Sequence, residues 1–120
     1  MLATMGGQGQ PQILAQVLLR TMSGASPEAA VAAPRAIVGL QIDGGTEDSV
    51  TLESDAPESV VAAIKRSGFA PRTVPPHTEA LGQTSVVVAE KDGAMRAASD
   101  PRSDGAAVVA HFPRIVKARD

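Results

Sequence analysis

The chain has 120 residues, 43% of them hydrophobic and 20% charged, with a formal net charge of −2. That length suits a single domain. The balance excludes a wholly disordered tail, and charges this small and interspersed give no electrostatic case for nucleic acid. With no cysteine, disulfides, thiolate catalysis and cysteine zinc sites are excluded. Two Phe, no Tyr and no Trp leave a core of Ala, Val, Leu and Ile, which bury little area per residue. Such a core is more easily stable as part of something larger. The longest apolar runs, Ile13–Leu19 and Ala29–Ala33, are too short to span a bilayer. Met1–Gly7 shows neither the basic start nor the apolar core of a signal peptide.

Met1–Gln10 reads as a glycine-rich leader into a first helix. Ile13, Leu14, Val17, Leu18 and Met22 recur at helical spacing, Pro11 suits the first turn, and Gly24 suits the stop. A short second helix follows, capped by Ser26, opened by Pro27 and Glu28, and ended by Pro34. Ala36–Ile42 reads as a strand, Asp43-Gly44-Gly45 as a turn, and Val50–Glu53 as the partner strand. Asp55 with Glu58 resembles a capping box, opening a helix whose apolar face is Val60, Val61 and Ile64 and which Gly68 ends. Pro71–Gly82 is mostly loop, with an extended piece near Arg72–Val74. Ser85–Glu90 and Ala94–Ala98 flank Lys91-Asp92-Gly93 as a hairpin. Ser99–Gly105 is a polar loop, Ala106–Ala110 a last small-residue strand, and Phe112–Asp120 a basic tail expected to fray. No internal repeat is visible. Helices first and strands mostly last argue for an α+β domain spanning 1–120 rather than a regular alternation.

Two segments carry candidate chemistry. Gly6-Gly7-Gln8-Gly9 precedes the first helix. Glycines let successive amide N–H groups converge on one point, and a helix start adds positive dipole character, which together suit an anion or oxyanion. The same residues also read as a plain flexible leader. No Gly-Lys-Ser/Thr follows, so the pattern is not a Walker phosphate loop. Asp100-Pro101-Arg102 with Gly105 can form a fixed bidentate pair. It reads either as a clamp for a substrate carboxylate or as a structural ion pair. His77 and His111, the only histidines, lie far apart without ligand spacing, so no metal site is expected. Thr4, Ser26 and Ser99 have no base nearby in sequence, and none carries a nucleophile signature.

Taken together, Thr4-Met5-Gly6-Gly7, Gln10-Pro11-Gln12 and Gln16-Val17-Leu18-Leu19 resemble the gamma-glutamyltransferase (gamma-glutamyltranspeptidase) family, in which a Gly-Gly turn precedes such a helix. The Gln-Pro-Gln variant is similar to a branch with acylase-like members. Ser26–Val31 with Ala32-Ala33-Pro34-Arg35 resembles the family's helix ending in Ala-Pro-Arg. Val60–Gly68 resembles a later helix, and Leu81-Gly82-Gln83-Thr84 the start of a strand. Ser99-Asp100-Pro101-Arg102 with Asp104-Gly105-Ala106-Ala107 resembles its C-terminal Asp-Pro-Arg signature. The likeness covers nearly the whole chain.

The resemblance implies part of an N-terminal-nucleophile hydrolase, an αββα sandwich with helices packed on a mainly antiparallel sheet. Family members are precursors that cut themselves into a large and a small subunit. The new N-terminal Thr of the small subunit attacks a γ-glutamyl amide, with its own α-amino group as the base, and the acyl group passes to water or an amine. This chain resembles the C-terminal part of the small subunit. Nothing in it matches the nucleophile motif, and Thr4 belongs to the turn. The implied partners are therefore the large subunit and the upstream part of the small subunit, with a γ-glutamyl or related acyl amide as substrate and no cofactor. What carries over is Gly6 and Gly7 as the oxyanion hole, Gln8 as a substrate contact, and Arg35, Asp100 and Arg102 as scaffold. Met5 stands where many members have Pro, Gln8 where many have another polar or acidic residue, and Gln83 where the usual residue is His, so the acyl preference is open. A rival reading is a non-catalytic binding or homo-oligomerising module that uses bare sheet edges. The family is often periplasmic or secreted, and a chain without cysteine is compatible with either side of the membrane.

Overall fold

The computed structural model describes residues 1–39 and 42–111; the tail 112–120 lies outside them. Among the described residues nine helices and strands follow one another: β1 (Leu2–Met5), α1 (Gln10–Met22), α2 (Pro27–Ala32), β2 (Ala36–Val38), β3 (Ser49–Glu53), α3 (Glu58–Arg66), β4 (Ala70–Val74), β5 (Gln83–Ala89) and β6 (Met95–Ser99). They build two three-stranded sheets, β1-β5-β6 and β2-β3-β4. Only the β3–β4 pairing is parallel, with α3 as its connection. The α+β class with mainly antiparallel strands stands as expected.

Local chemistry explains most of the elements. Pro11 lies in the first turn of α1, where its missing N–H costs nothing. Gly24, at φ 92, follows the end of α1. The Ser26 hydroxyl accepts from the Ala29 amide at 3.1 Å and caps α2. The β5–β6 hairpin turns at Gly93, at φ 86, where a side chain is disfavoured.

Several expectations are corrected. The glycine-rich start is not simply a leader, because Leu2–Met5 pairs antiparallel with β5 from Leu2↔Val86 to Met5↔Gln83. The strand expected over Ala36–Ile42, β2, stops at Val38, and Gly39 turns out of it at φ 88. The capping box at Asp55 and Glu58 does not form. Pro57 occupies the N-cap, and no side chain bonds there. Ala106–Ala110 forms no strand. On α1, Ile13 and Val17 are buried, but Leu18, Leu19 and Met22 are exposed. Helical spacing fixes a face and does not say how much of it a neighbour covers.

The core has two parts. Val17, Ala30 and Val31 from the helices meet Val86 and Ala98 of the first sheet. Ile13, Ile37 and Leu81 form a second cluster, with Ile42 and Val74 against it. Strand β3 is buried along its whole length. Its apolar Val50 and Leu52 alternate with Ser49, Thr51 and Glu53, as the two-residue period of a strand requires.

Candidate functional site

The β1–β5 ladder ends at Met5↔Gln83, and the next residue outward on each side is a glycine, Gly6 and Gly82. Gly6 leaves the strand at φ 170 and ψ 28, and Gly7 then turns into the left-handed region at φ 53. A 3-10 turn over Gly7–Gly9 leads into α1, with the Gly9 amide donating to the Gly6 carbonyl at 3.0 Å. The Gly6 and Gly7 amides donate to no acceptor among the described residues. The two glycines line a cleft of about 500 Å³ whose other wall is Thr78, Glu79, Ala80, Gly82 and Gln83. A Cβ on Gly7 would meet nothing within 4 Å. Gly6 and Gly7 thus sit on the wall of an open cleft, between the end of a strand and the start of a helix.

Gln8 is exposed in the 3-10 turn and is not part of the cleft lining, whereas Gln83 is. The Gln83 side-chain amide donates to the Arg102 carbonyl at 3.3 Å. His77 has a positive φ of 54, and its Nε2 lies 3.1 Å from the Ala32 carbonyl. His111 is exposed. The Thr4 hydroxyl donates to the Gln83 carbonyl at 2.7 Å and accepts from Thr84 at 3.2 Å, within the ladder.

Behind the cleft lies a buried set of charges. Arg35 donates from Nη2 to Asp100 Oδ2 at 2.7 Å, and from Nη1 to the Gly82 carbonyl at 2.8 Å and the Leu81 carbonyl at 3.3 Å. Its own amide donates to Glu53 at 3.0 Å. Arg102 donates from Nε and Nη2 to the two Glu53 oxygens. Its Nη1 donates to Asp100 Oδ1 and to the Val31 carbonyl, both at 2.9 Å, and Nη2 reaches the Ala33 carbonyl at 3.2 Å. Those five bonds match the five donors of a guanidinium. The Arg102 side chain is fully buried, so none of its donors is left for a substrate carboxylate. The two arginines also satisfy carbonyls at the end of α2, which a helix C-terminus leaves open.

Burial pulls the Arg35 guanidinium below its ordinary pKa, and the Asp100 bond offsets only part of this. Burial also acts against Arg102, but its bonds to Glu53 and Asp100 outweigh it and hold that pKa above the ordinary value. For Asp100 burial pushes upward, and the Arg102 amide and the Arg35 guanidinium together hold the carboxyl below the usual range. Arg35, Asp100 and Arg102 are expected from the sequence, Gly82 only as part of a strand start, and Glu53 in this network not at all. A carboxylate closing an otherwise uncharged strand, Ser49-Val50-Thr51-Leu52-Glu53, is the one local sign that Glu53 needs a buried partner.

The sequence matches the family model described as gamma-glutamyltranspeptidase over residues 1–110. It is 31% identical over 105 residues to an oxamate amidohydrolase proenzyme of Klebsiella pneumoniae, covering 87% of this chain and 20% of that protein. It is 29% identical over 106 residues to a glutathione hydrolase-like proenzyme, YwrD, of Bacillus subtilis, covering 88% of this chain and 20% of that protein. The chain thus spans about a fifth of the length of these relatives. The fold is similar to that of cephalosporin acylase from Bacillus halodurans, with a TM-score of 0.74 and 29% identity over 92% of this chain and 20% of that one. It is also similar to the Bacillus anthracis transpeptidase CapD, with a TM-score of 0.72 at 19% identity over 91% of this chain and 62% of that one. The fold is that of part of an N-terminal-nucleophile hydrolase, as the sequence resemblance implied.

Proposed function

The chain belongs to the gamma-glutamyltranspeptidase family, and from that premise we propose that it supplies the oxyanion-hole part of an amide-cleaving active site. One observation carries this reading. Gly6 and Gly7, whose amides have no acceptors among the described residues, line a cleft at the end of the β1–β5 ladder.

Attack on an amide carbonyl moves an electron pair onto the carbonyl oxygen. Two fixed N–H donors stabilise that charge more in the transition state than in the ground state, which is what accelerates the step. The nucleophile, an N-terminal Thr with its α-amino group as base, comes from the upstream part of the small subunit. The group that holds the substrate carboxylate comes from the large subunit. The acyl group then passes to water or to an amine. Arg35, Asp100 and Arg102 are scaffold, and Gln8, outside the cleft lining, reaches substrate only from the exposed side of the turn. The relatives' names, hydrolase, amidohydrolase and acylase, favour a γ-glutamyl or related acyl amide as substrate.

Joining the chain in cis to the upstream portion of a family member, and assaying a chromogenic γ-glutamyl anilide, tests this. The chain alone is expected to be inactive and the joined, processed protein active. Gly7→Pro removes one donor and is expected to lower the rate about 10²–10³-fold. A folded, processed and still inactive joined protein would overturn the reading. The rival, a non-catalytic assembly module, draws support from the exposed Leu18, Leu19 and Met22 of α1. It predicts a dimer by light scattering together with that inactivity.

A further inference from the structure

We infer that Gly82 is a positioning residue for the Gly6–Gly7 turn, wedged between that turn and Ile13 and anchored from behind by Arg35. The inference rests on the oxyanion-hole reading only for its catalytic consequence, since the contact itself is geometric.

Three observations converge on it. A Cβ on Gly82 would lie 2.5 Å from Ile13 Cδ1, 2.7 Å from the Met5 carbonyl oxygen and 3.3 Å from Gly6 Cα. A Cβ on Gly6 would in turn lie 2.5 Å from the same Ile13 Cδ1 and 3.4 Å from Gly82 Cα. The two glycines therefore approach backbone to backbone over one methyl group, and neither position has room for a side chain. Gly82 also holds φ 75, a conformation that glycine adopts without steric cost. Finally, its carbonyl accepts from the Arg35 guanidinium at 2.8 Å, and the neighbouring Leu81 carbonyl accepts from the same nitrogen.

Arg35 is itself fixed to Asp100, whose Oδ2 also accepts from the Thr84 amide at 2.9 Å. The start of β5 is thus held on both sides of Gln83, the residue that pairs with Met5. A rigid path of bonded and touching groups runs from the buried charges through Gly82 to Gly6. The two amide donors acquire their direction from that path. A loop with open space around Gly7 would not hold them by itself, and small misplacements of catalytic groups are costly in rate.

The test uses two variants and two readouts. In the isotopically labelled chain, Gly82→Ala is expected to move the Gly6 and Gly7 amide resonances well beyond any change at Gly93, in the turn at the far end of β5. Should Gly82→Ala fail to fold, Ile13→Val removes only the methyl beneath both glycines and is expected to move the same two resonances. In the joined enzyme either variant is expected to lower kcat with KM unchanged, by up to about 10²-fold for a displacement near 1 Å. A merely structural Gly82 would lower the unfolding temperature and leave the two amides in place. Unmoved Gly6 and Gly7 resonances in the folded variants would overturn the inference. Moved resonances with an unchanged kcat would support the contact and instead overturn the oxyanion-hole reading.

Discussion

Asp100 Oδ2 accepts from Arg35 Nη2 at 2.7 Å and from the Thr84 amide at 2.9 Å. One carboxylate oxygen, 65 positions beyond Arg35 in the chain, thereby ties Arg35, just past the end of α2, to Thr84, the second residue of β5. The other oxygen serves Arg102 twice, through the backbone amide at 3.0 Å and Nη1 at 2.9 Å. In a core built from small aliphatic residues, this joint replaces the directional packing that large aromatic side chains provide elsewhere. It joins α2, both sheets and the strap at Leu81–Gly82.

Breaking this joint on one side is expected to be severe. Arg102→Leu leaves Glu53 and part of Asp100 buried without a counter-charge, a change that typically costs 3–5 kcal/mol, so roughly that loss is expected. Thermal unfolding followed by circular dichroism reads it, because the chain lacks Trp and Tyr. A loss below about 1 kcal/mol would place Arg102 outside the stabilising set.

The same network sets a pH dependence. The Asp100 carboxyl is held below its ordinary range in the folded state. A group whose folded pKa is depressed contributes stability above its unfolded pKa and loses it as pH falls through the folded value. Stability from this group should therefore be complete above about pH 5 and decline from near pH 4 downward, given an unfolded aspartate value of about 3.9. Asp100→Asn should lower stability at pH 7 and flatten the acid limb. An unchanged acid limb in that variant would assign the transition to other carboxylates.

The cap on α2 makes a smaller, separable contribution. Ser26 Oγ accepts the Ala29 amide at 3.1 Å, and Ser26→Ala is expected to cost about 1 kcal/mol. Ser26 bonds only the first turn of α2 and Arg102 only its end, so with no shared partner this change is expected to add to the Arg102→Leu loss. A double variant that departs from the sum by more than about 0.5 kcal/mol would show that α2 and the charged joint are coupled.

Legibility in the sequence followed the range of each signal. Ser26, Pro11 and the Lys91-Asp92-Gly93 turn act within a few residues, and they mark the elements where the structure has them. Strand β1 escaped because four residues with Met and Thr carry no strong pattern, and its existence depends on β5, some 80 positions later. Glycine counting could single out Gly6 and Gly7 but not the partner that confines them. Gly82 matters through a contact with Gly6 that only the ladder creates. Asp100 and Arg102 were legible as a pair from their spacing. Their saturation by Glu53 and the α2 carbonyls was not, because those partners are up to 71 residues distant.

Gly7 separates backbone conformation from hydrogen-bond donation. Its φ of 53 disfavours a side chain, yet a Cβ there meets no atom within 4 Å. Gly7→Ala is thus expected to cost only the left-handed penalty, roughly 1–2 kcal/mol, while keeping the N–H. Gly7→Pro cannot adopt that φ and also deletes the donor. In the joined enzyme, Gly7→Ala should retain most of kcat, whereas Gly7→Pro should lose about 10²–10³ of it. Unfolding temperatures measured alongside keep the two effects apart. Equal kcat losses in two folded variants would mean that conformation at Gly7, and not its amide hydrogen, is what the reaction uses.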